Sequence, residues 1–253
     1  MPAYAPLPAL RVRNLSKRYA NAPNPVWSNI SFEVPQGQRV AIIGGNGAGK
    51  STLLRSCMRL IEPDAGEVTF GKQTITGLRR KELAQARSQV GFVFQKHNLV
   101  SRLSVLSNVL HGGLAWAHTP RLWFQATACR EHRDYAMHCL DQVKLAHLAT
   151  RQADALSGGQ AQRVAIARAL MQKPTMIFAD EPVASLDPQA GEDIMRAFSE
   201  LARQDALTLV FVTHHLEHAL NYADRVIGLK DQRLSLDAPS NDLDIAQLRS
   251  MYA

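Results

Sequence analysis

With 253 residues, 46% hydrophobic and 20% charged, the chain has the composition of an ordinary soluble globular protein of one large or two small domains. No apolar run approaches the roughly 18 residues of a membrane span, which argues against an integral membrane subunit. The net charge of +7 fits either an anionic partner (nucleic acid, a nucleotide or an acidic membrane face) or a mildly basic solvated surface. The first residues lack the layout of a signal peptide, and Cys57, Cys129 and Cys139 have no metal-binding spacing. We therefore expect reduced thiols in a cytosolic protein without a structural zinc.

Runs of β-branched residues recur along the chain, and most are bounded by turn residues. They are LRVRNL, ISFEV, RVAIIG and EVTFG near the start, and later VGFVFQ, TMIFADEP, TLVFVTHH and DRVIGLKD. Between Leu99 and Leu156 the apolar spacing becomes helical, notably across EHRDYAMHCLDQVKLAHL. This alternation predicts an α/β fold with a mostly parallel sheet and an inserted helical lobe. Ligands of such sheets bind beyond the carboxyl ends of the strands.

The first chemical motif, GGNGAGKST, lies between the strand RVAIIG and a helical run. It has the G-x-x-x-x-G-K-[ST] spacing, in which backbone N–H groups turn toward phosphates, Lys50 reaches the terminal ones and Ser51 offers its hydroxyl to Mg²⁺. The alternative is a glycine-rich turn that happens to contain a lysine, and the flanking strand and helix disfavour it. We predict a nucleoside triphosphate site made by Gly44, Gly45, Asn46, Gly47, Ala48, Gly49, Lys50, Ser51 and Thr52.

A second glycine turn, LSGGQ at Leu156–Gln160, opens another predicted helix. Free N–H groups, the positive end of a helix dipole and glycines that allow close approach make it a candidate anion cradle. One small chain would then carry two phosphate-binding turns.

The strand TMIFADEP ends in two carboxylates. Asp180 is placed to hold Mg²⁺, through water, because Mg²⁺ keeps much of its hydration. Glu181, one residue further, is placed to orient or deprotonate an attacking water. A solvated acidic turn is the alternative, and the phosphate loop upstream favours the catalytic interpretation.

LSGGQ, the FADEP strand and the SLD that follows make the chain resemble the ATP-binding subunits of ABC transporters over nearly its whole length. The resemblance implies a P-loop NTPase core with a mostly parallel sheet, an antiparallel β subdomain and an inserted helical subdomain. We expect the core at about residues 1–95 and 160–230, the helical subdomain at about 96–159 and a C-terminal tail at 231–253.

Further site residues are implied by the same resemblance. Tyr19 matches the aromatic residue that stacks on adenine, although a tyrosine at a strand end is the alternative. Gln95 matches the glutamine that touches Mg²⁺ and the attacking water and senses the membrane subunit. Asp187 matches the loop that contacts the opposite subunit. His214, which follows the strand and precedes a second histidine, matches the residue that contacts the γ-phosphate.

The resemblance also explains the two phosphate turns. In this family two subunits pair head to tail, and each ATP lies between one chain's phosphate loop and the other's LSGGQ, so Ser157, Gly158, Gly159 and Gln160 would serve the partner's γ-phosphate. It implies a homodimer peripheral to the cytoplasmic face of the inner membrane. The expected partners are integral-membrane permease subunits and, indirectly, a periplasmic or lipid-anchored solute-binding protein, with no nucleic acid.

Finer similarity concerns the transported solute. FADEPVASLDP is similar to the corresponding stretch of phosphonate-importer ATPases, whereas Gly45-Asn46, Ala161 and Gln232 depart from the usual residues. We predict an ATPase that powers uptake of phosphonate or a related phosphorus oxyanion. The alternatives are an ABC ATPase for a different solute, or a non-transport ABC ATPase acting on nucleic acid, whose usual second cassette, coiled-coil insertion or zinc module is not found in this sequence.

Overall fold

The computed structural model describes residues 7–20, 22–117, 120–250 and 252. Residues 1–6, on which part of the expectation about a signal peptide rests, lie outside that description. The strands are β1 (Leu10–Lys17), β2 (Trp27–Val34), β3 (Arg39–Gly44), β4 (Ala65–Phe70), β5 (Gln73–Thr74), β6 (Val90–Val93), β7 (Met176–Asp180), β8 (Thr208–Val212), β9 (Arg225–Lys230) and β10 (Arg233–Pro239).

The helices are α1 (Lys50–Cys57), α2 (Arg80–Arg87), α3 (Val105–Leu110), α4 (Leu114–Ala117), α5 (Arg130–Gln142), α6 (Gly158–Met171), α7 (Pro188–Gln204), α8 (Leu216–Tyr222) and α9 (Ile245–Arg249). Short 3₁₀ turns lie at His111–Gly113, Pro120–Trp123, Ala146–Leu148, Ala153–Ala155 and Ser240–Asp242. Within the described residues, none of the helices has the length and apolarity needed to cross a bilayer.

Two compact units make up the chain, and the first consists of residues 1–86 and 202–253. One of its sheets is antiparallel, with the strand order β2-β1-β4-β5. The central strand β1 pairs Leu10 with Val34 on one side and with Phe70 on the other, and these side chains are buried. The predicted antiparallel β subdomain is confirmed.

The other sheet of this unit is built around β3, which runs parallel to both β8 and β9. Residues 40–43 of β3 are all buried, without the alternation of a strand that faces water on one side. The predicted parallel arrangement is therefore confirmed. β10 pairs antiparallel with β9 and was not predicted, although its residues alternate between exposed and half-buried. A period of two after the turn at Asp231 and Gln232 was the signal that could have revealed it.

The second unit consists of residues 87–201. Its two strands, β6 and β7, pair in parallel, and α3, α5 and α6 pack against one another. The predicted helical stretch ends early: α5 stops at Gln142, because Lys144 adopts a left-handed conformation and the N–H of Leu145 donates to the carbonyl of Leu140. The subdomain boundaries given above stay a prediction.

Candidate functional site

The loop between β3 and α1 contains two glycines that the surrounding atoms require. Gly49 caps α1 in the left-handed conformation, with φ of 85°, and a Cβ there would lie 2.7 Å from Trp27 Cδ1. A Cβ on Gly44 would lie 2.4 Å from the carbonyl oxygen of Leu229. These separations are too short for any side chain, so glycine at both positions fixes the shape of the loop.

The other side of the loop is open. A Cβ at Gly45 or Gly47 would meet no atom within 4 Å, and Asn46 and Gly47 are exposed. The Ala48 N–H donates to the carbonyl of Gly45 at 3.1 Å and closes the turn. The loop therefore leaves its backbone accessible to a ligand from one side.

Lys50 begins α1, and its ammonium group is turned into the loop. Nζ donates to the carbonyl oxygens of Gly44 at 2.8 Å and Gly45 at 3.1 Å, and the residue is only 6% exposed. Ser51 and Thr52 follow in the first turn of the helix and are half-buried. A held cation and the positive end of a helix dipole favour an anion at this loop.

A cavity of about 460 Å³ adjoins the loop within the first unit. It is lined by Asn24, Pro25, Val26, Gly45, Asn46, Gly47, Ala48, Leu229, Lys230, Asp231, Gln232 and Tyr252. The Gly44 N–H donates to the hydroxyl of Tyr252 at 3.4 Å, and Lys230 Nζ donates to the carbonyl of Ser250 at 3.0 Å. Sequence reasoning missed this wall, because no local pattern connects Tyr252 to a loop 208 positions earlier.

Tyr19 and His214 occupy exposed positions in the same unit. Tyr19 lies two residues after β1, is 46% exposed and has Lys17 Nζ 5.8 Å from its ring centroid. It is not among the residues that line the cavity beside the loop. His214 lies two residues after β8, and its ring centroid is 4.2 Å from that of His215. The two rings are tilted by 38° to each other, and both residues are exposed.

The second unit brings a glutamine and a carboxylate together. Because β6 and β7 are parallel, with Val93 opposite Ala179, the residues beyond their carboxyl ends emerge at one edge. Gln95 Nε2 donates to Glu181 Oε2 at 3.3 Å, whereas Asp180 at the end of β7 is fully buried. The predicted neighbours of an attacking water therefore meet through a hydrogen bond.

The second glycine turn is the N-terminus of α6, and two of its residues form a capping box. Ser157 Oγ accepts a hydrogen bond from the Gln160 N–H at 3.3 Å, and Gln160 Oε1 accepts one from the Ser157 N–H at 3.0 Å. Within the described part of the chain, no acceptor is found for the N–H groups of Gly158 and Gly159. The turn thus keeps two free backbone donors at the positive end of a 14-residue helix.

Asp187 has a structural role of its own. Its Oδ1 accepts a hydrogen bond from the Ala190 N–H at 2.9 Å, and Pro188 begins α7 directly after it. Aspartate before a helix and proline at its first position are both favoured at helix starts. The side chain is exposed, so capping α7 leaves it open to a second subunit.

The chain is similar to known proteins over most of its length. Residues 27–184 match the model of the family described as ABC transporter. A phosphonates import ATP-binding protein of Synechococcus sp. is 42% identical over 247 residues, covering 96% of this chain and 90% of the relative. Another from Bordetella parapertussis is 39% identical over 248 residues and covers 96% of each chain.

Solved structures of ATP-binding cassettes share the fold. A dimeric cassette in a post-hydrolysis state, bound to ADP and Pi, has a TM-score of 0.79 and 34% identity, and the match covers 91% of this chain and 98% of that one. A nucleotide-free cassette from an ABC transporter has a TM-score of 0.82 and 29% identity over 96% of each chain.

Proposed function

The chain belongs to the ABC transporter family, and from that premise we propose that it is the ATP-hydrolysing subunit that powers uptake of phosphonate or a related phosphorus oxyanion. The observation that carries the ATPase proposal is the glycine loop that is open on one side, with Lys50 held inside it. The solute is proposed from the relatives, which are named as phosphonates import proteins.

ATP fits the residues that the loop presents. The backbone at Gly45 and Gly47 is open to phosphate oxygens, and the Lys50 ammonium supplies the positive charge beside them. When triphosphate binds, Lys50 would exchange its carbonyl acceptors for phosphate oxygens. Tyr19, exposed after β1, would stack on the adenine ring.

Mg²⁺ fits the chemistry of the oxygen donors proposed for it. The described residues contain no cluster of three or more histidine, cysteine, aspartate or glutamate side chains that could cage a metal. A cation that keeps its waters and binds through phosphates needs few protein ligands, and Ser51, Gln95 and Asp180 would provide them. When bound, Mg²⁺ would neutralise charge on the phosphates.

Glu181 is the proposed general base, oriented by Gln95, which donates to its carboxylate. His214 would contact the γ-phosphate. Since phosphoryl transfer depends mainly on positioning and charge stabilisation, hydrolysis would wait until these groups and the second glycine turn are assembled.

That second turn is proposed to come from another copy of the chain. The N–H groups of Gly158 and Gly159 have no acceptor among the described residues, and with Ser157 and Gln160 they would contact the γ-phosphate bound by the partner. Asp187 would contact the partner's surface. The homodimer would bind integral-membrane permease subunits at the cytoplasmic face of the membrane. A solute-binding protein outside the membrane would deliver the solute.

Uptake in cells that carry or lack this gene tests the proposal. Under phosphate starvation, cells without the gene should lose uptake of labelled aminoethylphosphonate and keep uptake of labelled phosphate. The wild-type gene should restore uptake, whereas Lys50→Ala should not, although the protein accumulates normally. Unchanged uptake of both solutes would overturn the assignment of the solute. ATP hydrolysis by the purified protein that DNA stimulates would favour the nucleic-acid alternative.

A further inference from the structure

The segment that follows Gln95 is held by an arginine of helix α6. Arg168 Nη1 donates to the carbonyl oxygen of Asn98 at 2.7 Å, and Nη2 donates to that of His97 at 2.9 Å. A planar guanidinium with two donors fixes both the distance and the orientation of two consecutive peptide groups. We call residues 95–99 the glutamine loop.

Two peptide carbonyl oxygens solvate the charged guanidinium of Arg168. The residue is half-buried, burial lowers the pKa of its guanidinium, and no carboxylate pairs with it among the described residues. Burial and the nearby Arg168 charge also lower the pKa of His97. Asn98 adopts the left-handed conformation, with φ of 51°, that the turn at the held carbonyls requires. The contact is therefore specific in its geometry and partly buried.

The backbone of α6 is fixed at the same residue. A Cβ on Gly112 would lie 2.0 Å from the carbonyl oxygen of Arg168, so the 3₁₀ turn at His111–Gly113 packs directly on this point of the helix. The side chain of Arg168 thus reaches the glutamine loop from a helix position that cannot shift freely.

The glutamine loop also lines a cavity of about 340 Å³ in the second unit. Ala161 in the first turn of α6 and Ser185 contribute to the same cavity. A movement of the start of α6 would therefore change the shape of this cavity. The opposite wall of the cavity is the glutamine loop, which Arg168 holds in place.

We propose that Arg168 is a positioning residue for hydrolysis: it keeps the glutamine loop in the geometry in which Gln95 meets Glu181, and it ties that geometry to the helix that begins at the second glycine turn. This inference rests on the proposed function, in which Gln95 orients Glu181. A displacement of α6 would carry the glutamine loop with it, so one rigid connection would link the turn that meets a partner's nucleotide to the residue that orients the base.

Two substitutions of Arg168 test the inference in the subunit assembled with its permease. Arg168→Met keeps the apolar stem and removes both donors, and Arg168→Lys keeps the charge and one donor group. Because a misplacement of about 1 Å costs roughly 100-fold, kcat of Arg168→Met should fall about 10- to 100-fold, while KM for ATP changes less than about twofold. Arg168→Lys should recover about threefold of that loss and stay below the wild-type kcat.

Arg163→Met is the matched control. Arg163 lies on the same helix, is half-buried and makes no ion pair or hydrogen bond within the described residues. Its replacement should leave kcat unchanged. Equal kcat for Arg168→Met and Arg163→Met would overturn the inference. If Arg168→Met fails to fold, Arg168→Lys decides: wild-type kcat overturns the inference, and a lowered kcat with unchanged KM supports it.

The double variant of Gln95→Ala and Arg168→Met distinguishes a failure of the inference about Arg168 from a failure of the proposed role of Gln95. If Arg168 acts through the glutamine loop, the double variant should lose no more than the worse single variant. Losses that multiply would overturn the inference and leave the proposed role of Gln95 intact. Unchanged kcat in Gln95→Ala alone would instead refute that proposed role, and the inference with it.

Discussion

The backbone of Glu181, the proposed general base, has an uncommon conformation. It has φ of 48°, a left-handed conformation that is uncommon for a residue with a Cβ and costs about 1–3 kcal/mol when strained. The strand β7 ends one residue earlier at the buried Asp180, so the turn lifts Glu181 out of the strand and to the amide of Gln95. Spacing predicted the carboxylate pair, but the different burial of the two groups appears only when the strands are assembled.

Glu181→Gln should abolish hydrolysis while ATP binding persists. Loss of a general base costs about 100- to 10,000-fold, so phosphate release should fall at least about 100-fold, and an ATP-bound dimer should accumulate in size-exclusion chromatography. Glu200→Gln is the control, since Glu200 is exposed on α7 and makes no ion pair in the described chain. Unchanged turnover in Glu181→Gln would remove that residue from the mechanism.

The three thiols should react very differently. Burial raises the pKa of Cys57 to about 12, and Cys139 is also buried, whereas Cys129 is exposed just before α5. Because the thiolate is the nucleophile, a disulfide reagent at pH 8 should modify one thiol of the native chain rapidly and all three after unfolding. Cys129→Ser should have no fast phase. A second fast thiol would show that the core around α1 or α5 opens.

At the scale of elements, local pattern predicted the buried strands and the helices that follow the two glycine turns. Buried strands such as β3 and β8 are continuous apolar runs, and α6 has a capping sequence, so each could be recognised in isolation. β10 was missed because it is a half-exposed strand at an edge. The end of α5 was missed because Lys144 occupies the left-handed position where glycine is the usual signal.

An ion pair joins the N-terminal end of the central strand β3 to the residue that precedes β9. Arg39 donates to Asp224 through its backbone N–H at 2.9 Å and its Nε at 3.1 Å, and Nη2 also contacts the carboxylate. Partial burial raises the pKa of Asp224, but the hydrogen bonds from Arg39 outweigh this and lower that pKa overall. A carboxyl whose pKa is lowered in the folded state adds stability above its unfolded pKa of about 3.9, and that stability is lost as pH falls through the folded value.

Asp224→Asn should therefore be less stable than the wild type at pH 7, with the difference vanishing in acid. Because the pair is partly exposed, we expect the melting temperature to fall by about 2–4 °C at pH 7, and by about zero once pH is below the folded pKa. Thermal unfolding at pH 7, 5 and 3 measures this. Asp242→Asn is the control, since Asp242 is exposed and has no side-chain hydrogen bond among the described residues. A difference that is constant across pH would contradict the electrostatic account.

For the whole molecule, the sequence motifs predicted an anion-binding turn at Gly44–Thr52 and another at Ser157–Gln160. The structure gives a reason for the residue types in each turn. Packing requires glycine in the first turn, and the second turn forms a capping box. Contacts between residues far apart in the chain, such as the Tyr252 hydroxyl near Gly44, follow from the fold alone. Local pattern therefore identifies candidate residues of a site but not the distant residues that form its walls.

Ser157→Arg should abolish hydrolysis and preserve ATP binding to the phosphate loop of the same chain. The substitution removes the cap of α6 and places a bulky cation at the turn that is proposed to contact the partner's ATP. Ser157→Ala separates the two effects, because loss of the cap alone costs about 0.5–2 kcal/mol of stability and adds no bulk. Ser157→Ala should therefore melt earlier but keep much of its activity. Loss of ATP binding in Ser157→Arg would contradict the two-chain arrangement.

Mixing inactive subunits tests that arrangement most directly. A dimer of one Ser157→Arg chain and one Lys50→Ala chain has one composite site with an intact phosphate loop and an intact second turn, and one site with neither. Half of the dimers in an equal random mixture should be mixed, with one working site of two, so about a quarter of the wild-type hydrolysis rate should return. Each variant alone should stay inactive. If differently tagged subunits co-purify and no activity returns, the site is not shared between chains in the proposed way, and both turns would have to act within one chain.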